Sequence, residues 1–246
     1  HIHTHTYSAR KALHLNESIY PLILESIFVS MRSHSLQTPC PEKYDFNTLI
    51  QCNIPKKITF PFEQGVACRA SETRSLSCKN TSNKHLCSTL AFSLMPIIQA
   101  SAAPQQRGFI AKRHFSDNIL ILDTCSRIYS KLYNKYGNAV MAFFDFADAF
   151  PSVSIAWIFD VLVALRVPLG IRQFVAALYT QCNTYIKHNG VLRFLCQVRS
   201  GVLQGCPLAS LLFVLAMEPF VQLFNNFFDS QQLGRTCLCA DDVGIV

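Results

Sequence analysis

Two stretches of this chain place carboxylates where they could do chemistry. Residues 237–246, CLCADDVGIV, hold Asp241 and Asp242 between two short apolar runs, a pattern typical of strand, tight turn and strand. Residues 140–146, VMAFFDF, form an apolar run with one acid, Asp145, near its end. An ionised carboxylate in such a run is costly unless it is paired or binds a metal. Taken alone, the two C-terminal acids suit a solvated hairpin tip, because Asp favours turns.

Carboxylates that converge from separate strands repel each other, and divalent cations relieve that repulsion. Mg²⁺ takes a few carboxylates together with phosphate oxygens and water. Two such ions can stabilise the attacking and leaving oxygens of a phosphoryl displacement. The acids therefore indicate phosphoryl transfer, provided that the fold brings them together.

Three motifs resemble those of reverse transcriptases of the non-LTR retrotransposon and group II intron type, in that family's order. Residues 143–153, FFDFADAFPSV, resemble the first catalytic motif. Residues 200–210, SGVLQGCPLAS, resemble the second palm motif, and residues 239–242, CADD, resemble the box of an aromatic residue followed by Ala-Asp-Asp. QGCPL followed by an apolar helix pattern is specific to this family. The resemblance runs from about Arg74 to the end of the chain.

The resemblance implies an α+β fold made of polymerase right-hand fingers and palm, with an antiparallel palm sheet backed by helices. We divide the chain into a poorly defined N-terminal segment, residues 1–53, and reverse transcriptase fingers and partial palm, residues 54–246. The chain stops directly after the third motif. We therefore expect the thumb to be absent and this chain alone to extend a primer poorly.

Several elements are predicted from local patterns. Apolar spacing predicts helices over residues 83–99 and 119–133, and another from Pro207 onwards. Ser152 or Ser154 can cap a helix that ends near Arg166. Residues 185–194 predict a hairpin, because their central Asn-Gly suits a type I′ turn.

The resemblance assigns catalysis to the three acids. Asp145 and Asp241 would be metal ligands, and Asp242 belongs to the same catalytic box. The implied reaction is attack of a primer 3′-hydroxyl on the α-phosphate of an incoming deoxynucleotide, with two Mg²⁺ ions, or Mn²⁺ as an alternative. The implied partners are an RNA or DNA template with its primer, and a dNTP.

The resemblance also implies a nucleotide pocket. Phe150 would exclude a ribose 2′-hydroxyl by its bulk, although core packing is the commoner fate of Phe. Gln204 and Gly205 would line the pocket, while the residues alone also fit a turn at the start of a helix. Lys56 and Arg74 resemble fingers positions that contact the nucleotide. From the residues alone, a solvated basic loop is the simpler interpretation.

A second basic set lies in residues 106–113, QRGFIAKR, which resemble the family's Gln-x-Gly-Phe-x-x-Gly-Arg segment. Arg107, Lys112 and Arg113 cluster near Phe109, and basic with aromatic residues suit a template strand. We expect Lys56, Arg74, Arg107 and Arg113 to face the same cleft as Asp145.

Four departures from the family pattern stand out. In residues 72–80, ETRSLSCKN, which resemble the family's Arg-Pro-Ile-Ser-Leu strand, Ser75 replaces the usual Pro. Lys112 replaces the usual Gly, and Cys239 replaces the usual Tyr or Phe. Asp148 stands where a small or basic residue is common, and adds negative charge near the proposed metals.

Composition bears on the class of partner, on zinc binding, on cellular location and on membrane insertion. A net charge of +7 fits a nucleic-acid partner without proving one. The 11 cysteines include no paired Cys-x₂-Cys units, which argues against zinc. No clear signal peptide precedes them, so we expect mostly reduced core thiols and an intracellular protein, with nucleus and cytoplasm not distinguished. Two apolar stretches, residues 20–31 with Glu25 and residues 208–224 with Glu218, fit buried helices better than membrane spans.

Two functional interpretations are open. The first is an RNA-directed DNA polymerase domain of a retroelement. The second is a catalytically inactive remnant, either a nucleic-acid binder or a relic without function. Survival of all three acids favours the first, and the early end of the chain favours the second.

Overall fold

The computed structural model of the chain describes residues 46–56, 72–132, 140–231 and 234–246. The strands in these ranges are β1 (Leu49–Pro55), β2 (Thr73–Lys79), β3 (Ala142–Asp145), β4 (Asn183–His188), β5 (Val191–Gln197), β6 (Thr236–Cys239) and β7 (Asp242–Ile245). The helices are α1 (Thr81–Ser101), α2 (Phe115–Lys131), α3 (Ala149–Ser152), α4 (Ile155–Ala164), α5 (Leu169–Tyr179) and α6 (Ala209–Gln231). Most of the N-terminal segment lies outside the described residues, and β1 crosses its assigned end at residue 53.

The strands form two sheets. One has three strands in the order β3-β7-β6, with both pairs antiparallel. This sheet confirms the predicted antiparallel palm sheet. The other has four strands in the order β2-β1-β4-β5 and is mixed, because β1 runs parallel to β4. No local pattern in the sequence indicated that parallel pair.

Local signals placed most elements correctly. Asn189 and Gly190 both have positive φ, at 48° and 80°, in the two-residue link between β4 and β5, as a type I′ turn requires. Ser154 is the cap of α4, since its side chain accepts a hydrogen bond from the Trp157 N–H. Ser152 instead ends α3.

Helix α2 begins at Phe115, four residues before its predicted start. The physical reason is that Asp117 and Asn118 lie inside the first turn, with their side chains turned to Arg107. Side chains of this type read as helix caps from sequence alone.

The main hydrophobic core lies between α1, α4, α5 and α6, and its buried members include Leu94, Ile158, Leu162, Phe174, Leu211 and Phe213. The indole N–H of Trp157 donates to the Ala216 carbonyl at 2.9 Å and so ties α4 to α6. By length and composition, Ala209–Phe228 could cross a membrane. Part of this helix packs into the hydrophobic core, and a core helix is apolar for that reason alone. Its composition is therefore weak evidence for a membrane span.

Candidate active site

The three acids meet at one end of the three-stranded sheet. In the antiparallel pairing of β3 with β7, Asp145 lies directly opposite Asp242. Asp241 precedes Asp242 in the link between β6 and β7, which consists of Ala240 and Asp241 and is called the acidic turn below. The predicted convergence is therefore found, with Asp242 rather than Asp241 as the cross-strand partner of Asp145. The assignment of metal ligands stays a prediction.

The carboxylates of this end influence one another. Burial raises the pKa of Asp242, and the negative charges of Asp241 and Asp145 raise it further. The pKa of the neighbouring Cys239 thiol is also raised, by burial first and then by the charges of Asp242 and Asp241. Like charges this close disfavour ionisation. A bound cation would reverse that penalty, so the charge arrangement favours cation binding.

Whether these residues fit Mg²⁺ depends on which groups supply the oxygen ligands that the carboxylates do not. Across the described ranges, no three His, Cys, Asp or Glu side chains gather closely enough to hold an ion by themselves. Mg²⁺ commonly uses one or two carboxylates and takes its other oxygens from water and substrate phosphates. The hard oxygen donors of Asp145 and Asp241 fit such a site, completed by substrate.

A cavity of about 330 Å³ adjoins the acids. Asp145 and Asp242 lie at its wall, and the rest of the lining is largely apolar, including Phe115, Ile119 and Phe143. Low polarity around a carboxylate weakens its hydration. The cavity therefore accounts for part of the desolvation that raises the pKa of Asp242.

Residues 105–108, named the anchor segment here, lie against β6 and the acidic turn. The Arg107 N–H donates to the Leu238 carbonyl at 2.9 Å, and the Leu238 N–H donates to the Gln105 carbonyl at 3.0 Å. The fully buried Gln106 side chain bonds the backbone of Ala240. Sequence reasoning missed Gln106, and the Gln-x-Gly spacing of its motif was the available signal.

Arg107 and Asn118 join the anchor segment to α2. The guanidinium donates to Asn118 Oδ1 at 3.0 Å and to Asp117 Oδ2 at 2.8 Å. The Asn118 amide in turn donates to the Leu238 carbonyl at 2.8 Å. These contacts give Arg107 a structural role behind β6, and its predicted template contact stays a prediction.

Arg113 is held by backbone carbonyls. Its two terminal nitrogens donate to the carbonyls of Ala103, Gln106, Gln99 and Ala102 at 2.6–3.0 Å. Burial lowers its pKa, and the charge of Arg107 lowers it further. The carbonyls at the end of a helix lack intrahelical donors, so Arg113 satisfies the C-terminal end of α1. This guanidinium is already occupied, which does not favour the predicted template contact.

Lys112 is the member of the predicted template set that remains available. Its side chain is exposed and makes no hydrogen bond or ion pair to the residues described. Its φ of 64° lies in the left-handed region, where Gly is favoured. The backbone geometry thus explains why the family usually has Gly there.

The fingers residues reach the loop after β3. Lys56 Nζ lies 4.0 Å from Asp148 Oδ1, and both side chains are substantially exposed. Asp148 has a left-handed φ of 49° and precedes α3. Arg74 is exposed on β2, opposite Ile54. The structure therefore brings Lys56 near the first catalytic motif, and Lys57 lies outside the described residues.

Phe150 is both half-buried and close to the motifs. Its ring stacks on Phe213 of α6 at 4.5 Å between centroids and 7° between planes, and meets Phe109 edge-on at 5.6 Å. The core-packing interpretation is thus correct for part of this ring. Selection against a 2′-hydroxyl stays a prediction.

The second palm motif contacts β2. The Ser77 N–H donates to the Gln204 carbonyl at 2.8 Å. Gly205 has φ +98°, and a Cβ there would lie 2.8 Å from the Ser77 carbonyl oxygen. Close backbone approach therefore explains Gly205 without a ligand, and nucleotide contact by Gln204 and Gly205 stays a prediction.

Comparisons with known proteins agree with this geometry. The sequence profile described as "Reverse transcriptase (RNA-dependent DNA polymerase)" matches residues 54–246. The Retrovirus-related Pol polyprotein from type-2 retrotransposable element R2DM of Drosophila melanogaster is 31% identical over 165 residues, covering 67% of this chain and 14% of that protein. The chain thus spans a small part of this relative's length.

Solved structures show a related fold. Apo telomerase from Candida tropicalis, truncated from its C-terminal domain, superposes with a TM-score of 0.53 at 11% identity, covering 85% of this chain and 45% of that one. A second apo telomerase structure from the same organism gives 0.53 at 10% identity, covering 93% and 44%. The fingers and palm fold is therefore shared at low identity. By its sequence profile and its arrangement of acids, the chain belongs to the reverse transcriptase family.

Proposed function

We propose that this chain is the RNA-directed DNA polymerase domain of a retroelement. One observation carries the proposal: on a sheet of the reverse transcriptase fold, Asp145 faces Asp242 across β3 and β7, with Asp241 in the adjoining turn. The similarity to the R2 polyprotein supports the retroelement origin. We further propose an intracellular location, since the described cysteines form no disulfide.

Asp145 and Asp241 would hold Mg²⁺, with Asp242 beside them. The metal, when bound, supplies charge stabilisation for the attacking and leaving oxygens of a nucleotidyl transfer. The chain itself supplies positioning, which provides much of the rate in phosphoryl transfer. No side chain is required to act as a nucleophile.

The remaining proposed roles concern substrate. Lys56 and Arg74 would offset the charge of the incoming triphosphate, since Lys56 follows β1, Arg74 lies on β2 and both side chains are exposed. Phe150 would limit space at the sugar, held in place by its stack on Phe213. Lys112 would contact template phosphate, because its ammonium is exposed.

The test is primer extension on an RNA template with dNTPs and Mg²⁺. Wild type is compared with the Asp145→Asn and Asp241→Ala variants. Each protein is assayed as the 246-residue chain, and again with any residues that its gene encodes beyond Val246. We expect each variant to lose at least about 100-fold in rate. Asp160→Asn, on the exposed face of α4, is the matched control and should stay within about twofold.

A non-catalytic nucleic-acid binder is the second candidate. The pairing of Lys56 with Asp148 favours this second candidate. The Asp148 carboxylate competes for the Lys56 ammonium, which the polymerase proposal assigns to the triphosphate of the nucleotide. Primer–template binding measured by fluorescence anisotropy separates the two. Equal binding by wild type and Asp145→Asn, with no extension by either even after any residues that the gene encodes beyond Val246 are added, would establish the binder and exclude the polymerase.

A further inference from the structure

The acidic turn has a conformation that its own residues do not favour. Ala240 has φ +59°, in the left-handed region that an L-residue with a Cβ seldom adopts. Ala240 is also buried, so its N–H and carbonyl need partners inside the protein. An outside group must therefore hold this residue.

Gln106 is that group. Its Oε1 accepts hydrogen bonds from the Ala240 N–H at 2.9 Å and from the Gly108 N–H at 2.8 Å. Its Nε2 donates to the Ala240 carbonyl at 3.3 Å. One side chain thus bonds both backbone groups of the left-handed residue. This needs a terminal amide, since Glu lacks the donor and Met lacks both functions.

The surroundings fix Gln106 in turn. Its side chain has no exposed surface. A Cβ on Gly108 would lie 2.2 Å from Ala240 N, so the anchor segment is in direct contact with the acidic turn. Backbone bonds on both sides of Gln106 join this segment to Leu238 of β6. Gln106 is therefore oriented before any substrate arrives.

We propose that Gln106 is a positioning residue, which holds Ala240 left-handed so that Asp241 is presented beside Asp145 for a divalent cation. This inference rests on the proposed function. Ala240 immediately precedes Asp241, so rotation about its backbone bonds redirects the Asp241 carboxylate. Groups that orient metal ligands in this way typically contribute 10–100-fold to metal affinity or activity.

The test compares Gln106→Met with Gln105→Met. Met has a similar length and no amide, and Gln105 is the adjacent residue of the same type. The Gln105 side-chain oxygen has no hydrogen-bond partner among the described residues, so its replacement controls for losing a glutamine from this segment.

Two readouts do not require synthesis. Mn²⁺ binding, followed by electron paramagnetic resonance, should be at least about tenfold weaker for Gln106→Met and within about twofold of wild type for Gln105→Met. Hydrogen exchange at the Ala240 amide should accelerate by about tenfold or more in Gln106→Met alone. Gln106→Glu keeps both acceptor bonds and should retain slow exchange at this amide. That variant also covers the case in which Gln106→Met does not fold.

Mn²⁺ binding and Ala240 exchange that are the same in Gln106→Met as in wild type would overturn the proposal, whether or not either protein extends a primer. Equal weakening of Mn²⁺ binding by Gln105→Met would overturn it too, because the effect would then be general to the segment. Gln106-dependent Mn²⁺ binding without synthesis, in wild type carrying any residues that its gene encodes beyond Val246, would refute the polymerase proposal and leave this one standing.

Discussion

The two sheets of this molecule are held in different ways. The three-stranded sheet has strands of four residues each and is bonded from outside by buried amide side chains, Gln106 and Asn118. The four-stranded sheet has strands of six or seven residues, and every residue of β5 is exposed. Long ladders fix their own register, whereas very short strands depend on their surroundings. The acid-bearing sheet should therefore be the more sensitive to single substitutions.

The largest effect should come from Arg113, which holds the chain leading into the anchor segment. Arg113→Met removes the donor from four partly buried carbonyls, and we expect a loss of about 3–5 kcal/mol. Thermal unfolding should show a Tm lower by about 6–20 °C. Arg193→Met, on exposed β5, is the matched control and should change stability by less than about 0.5 kcal/mol. Similar losses for both would remove the contrast between the sheets.

A second test makes one glycine-to-alanine substitution beside the three-stranded sheet and one in the four-stranded sheet. Gly108→Ala introduces a Cβ 2.2 Å from the Ala240 backbone nitrogen, so we expect a loss of about 2–3 kcal/mol in urea unfolding. Gly190→Ala, at the tip of the β4–β5 hairpin, has φ +80° and nothing within 4 Å of the new Cβ. Its cost should be about 1 kcal/mol, from backbone conformation alone. The reverse order would contradict tight packing at the acidic turn.

The pH dependence of stability tests the contact of Glu218 with Ala103, which lies just before the anchor segment. Both of its carboxylate oxygens accept from the Ala103 N–H at 3.1 Å, and burial raises its pKa. A raised folded-state pKa means that its stabilising contribution is complete below the unfolded pKa of about 4.3 and is lost as pH rises through the folded value.

Glu218→Gln keeps an acceptor for Ala103 and does not titrate. Relative to wild type, its Tm should therefore improve between pH 4.5 and pH 8, by the equivalent of about 1 kcal/mol or less. Asp160→Asn, on the exposed face of α4, is the matched control for loss of a carboxylate. A Glu218→Gln difference from wild type that does not change with pH would show that burial of the Glu218 carboxyl does not matter.

The smallest effect should be a gain. Lys112 has φ +64°, and Lys112→Gly relieves that conformation at the cost of a more flexible unfolded chain. We expect a net stabilisation of about 0.5 kcal/mol, seen as a Tm higher by about 1–2 °C. Lys187→Gly, within β4, should destabilise instead because Gly weakens a strand. Two changes of the same sign would argue against left-handed strain at Lys112.

The sequence was sufficient wherever a local pattern carried the information. The Asn189-Gly190 turn requires positive φ at both residues, so the β4–β5 hairpin could be predicted from two letters. The acids could be assigned to one sheet because Asp145 ends an apolar strand pattern, Asp241 and Asp242 lie between two further apolar runs, and the motifs follow the order of a known family.

Contacts distant in sequence could not be predicted in this way. The bonds from Gln106 to Ala240 span 134 positions, and no periodicity connects the two. The template contact of Arg113 stays a prediction, which rests on a basic residue near an aromatic one and on the resemblance. The binding of Arg113 to four carbonyls depends on where α1 ends in space. The parallel pairing of β1 with β4 is equally non-local.

The indole that joins α4 to α6 also makes the molecule optically convenient. Trp157 is the sole tryptophan of the chain, and its ring N–H is bonded to Ala216 while 44% of the residue is exposed. Its fluorescence emission therefore comes from one known place, where α4 meets α6, remote in sequence from the anchor segment and the acidic turn. Excitation of this single native chromophore would follow unfolding of the core without any attached dye. Beside amide exchange at Ala240, it would show whether the acidic turn loosens while the core remains intact.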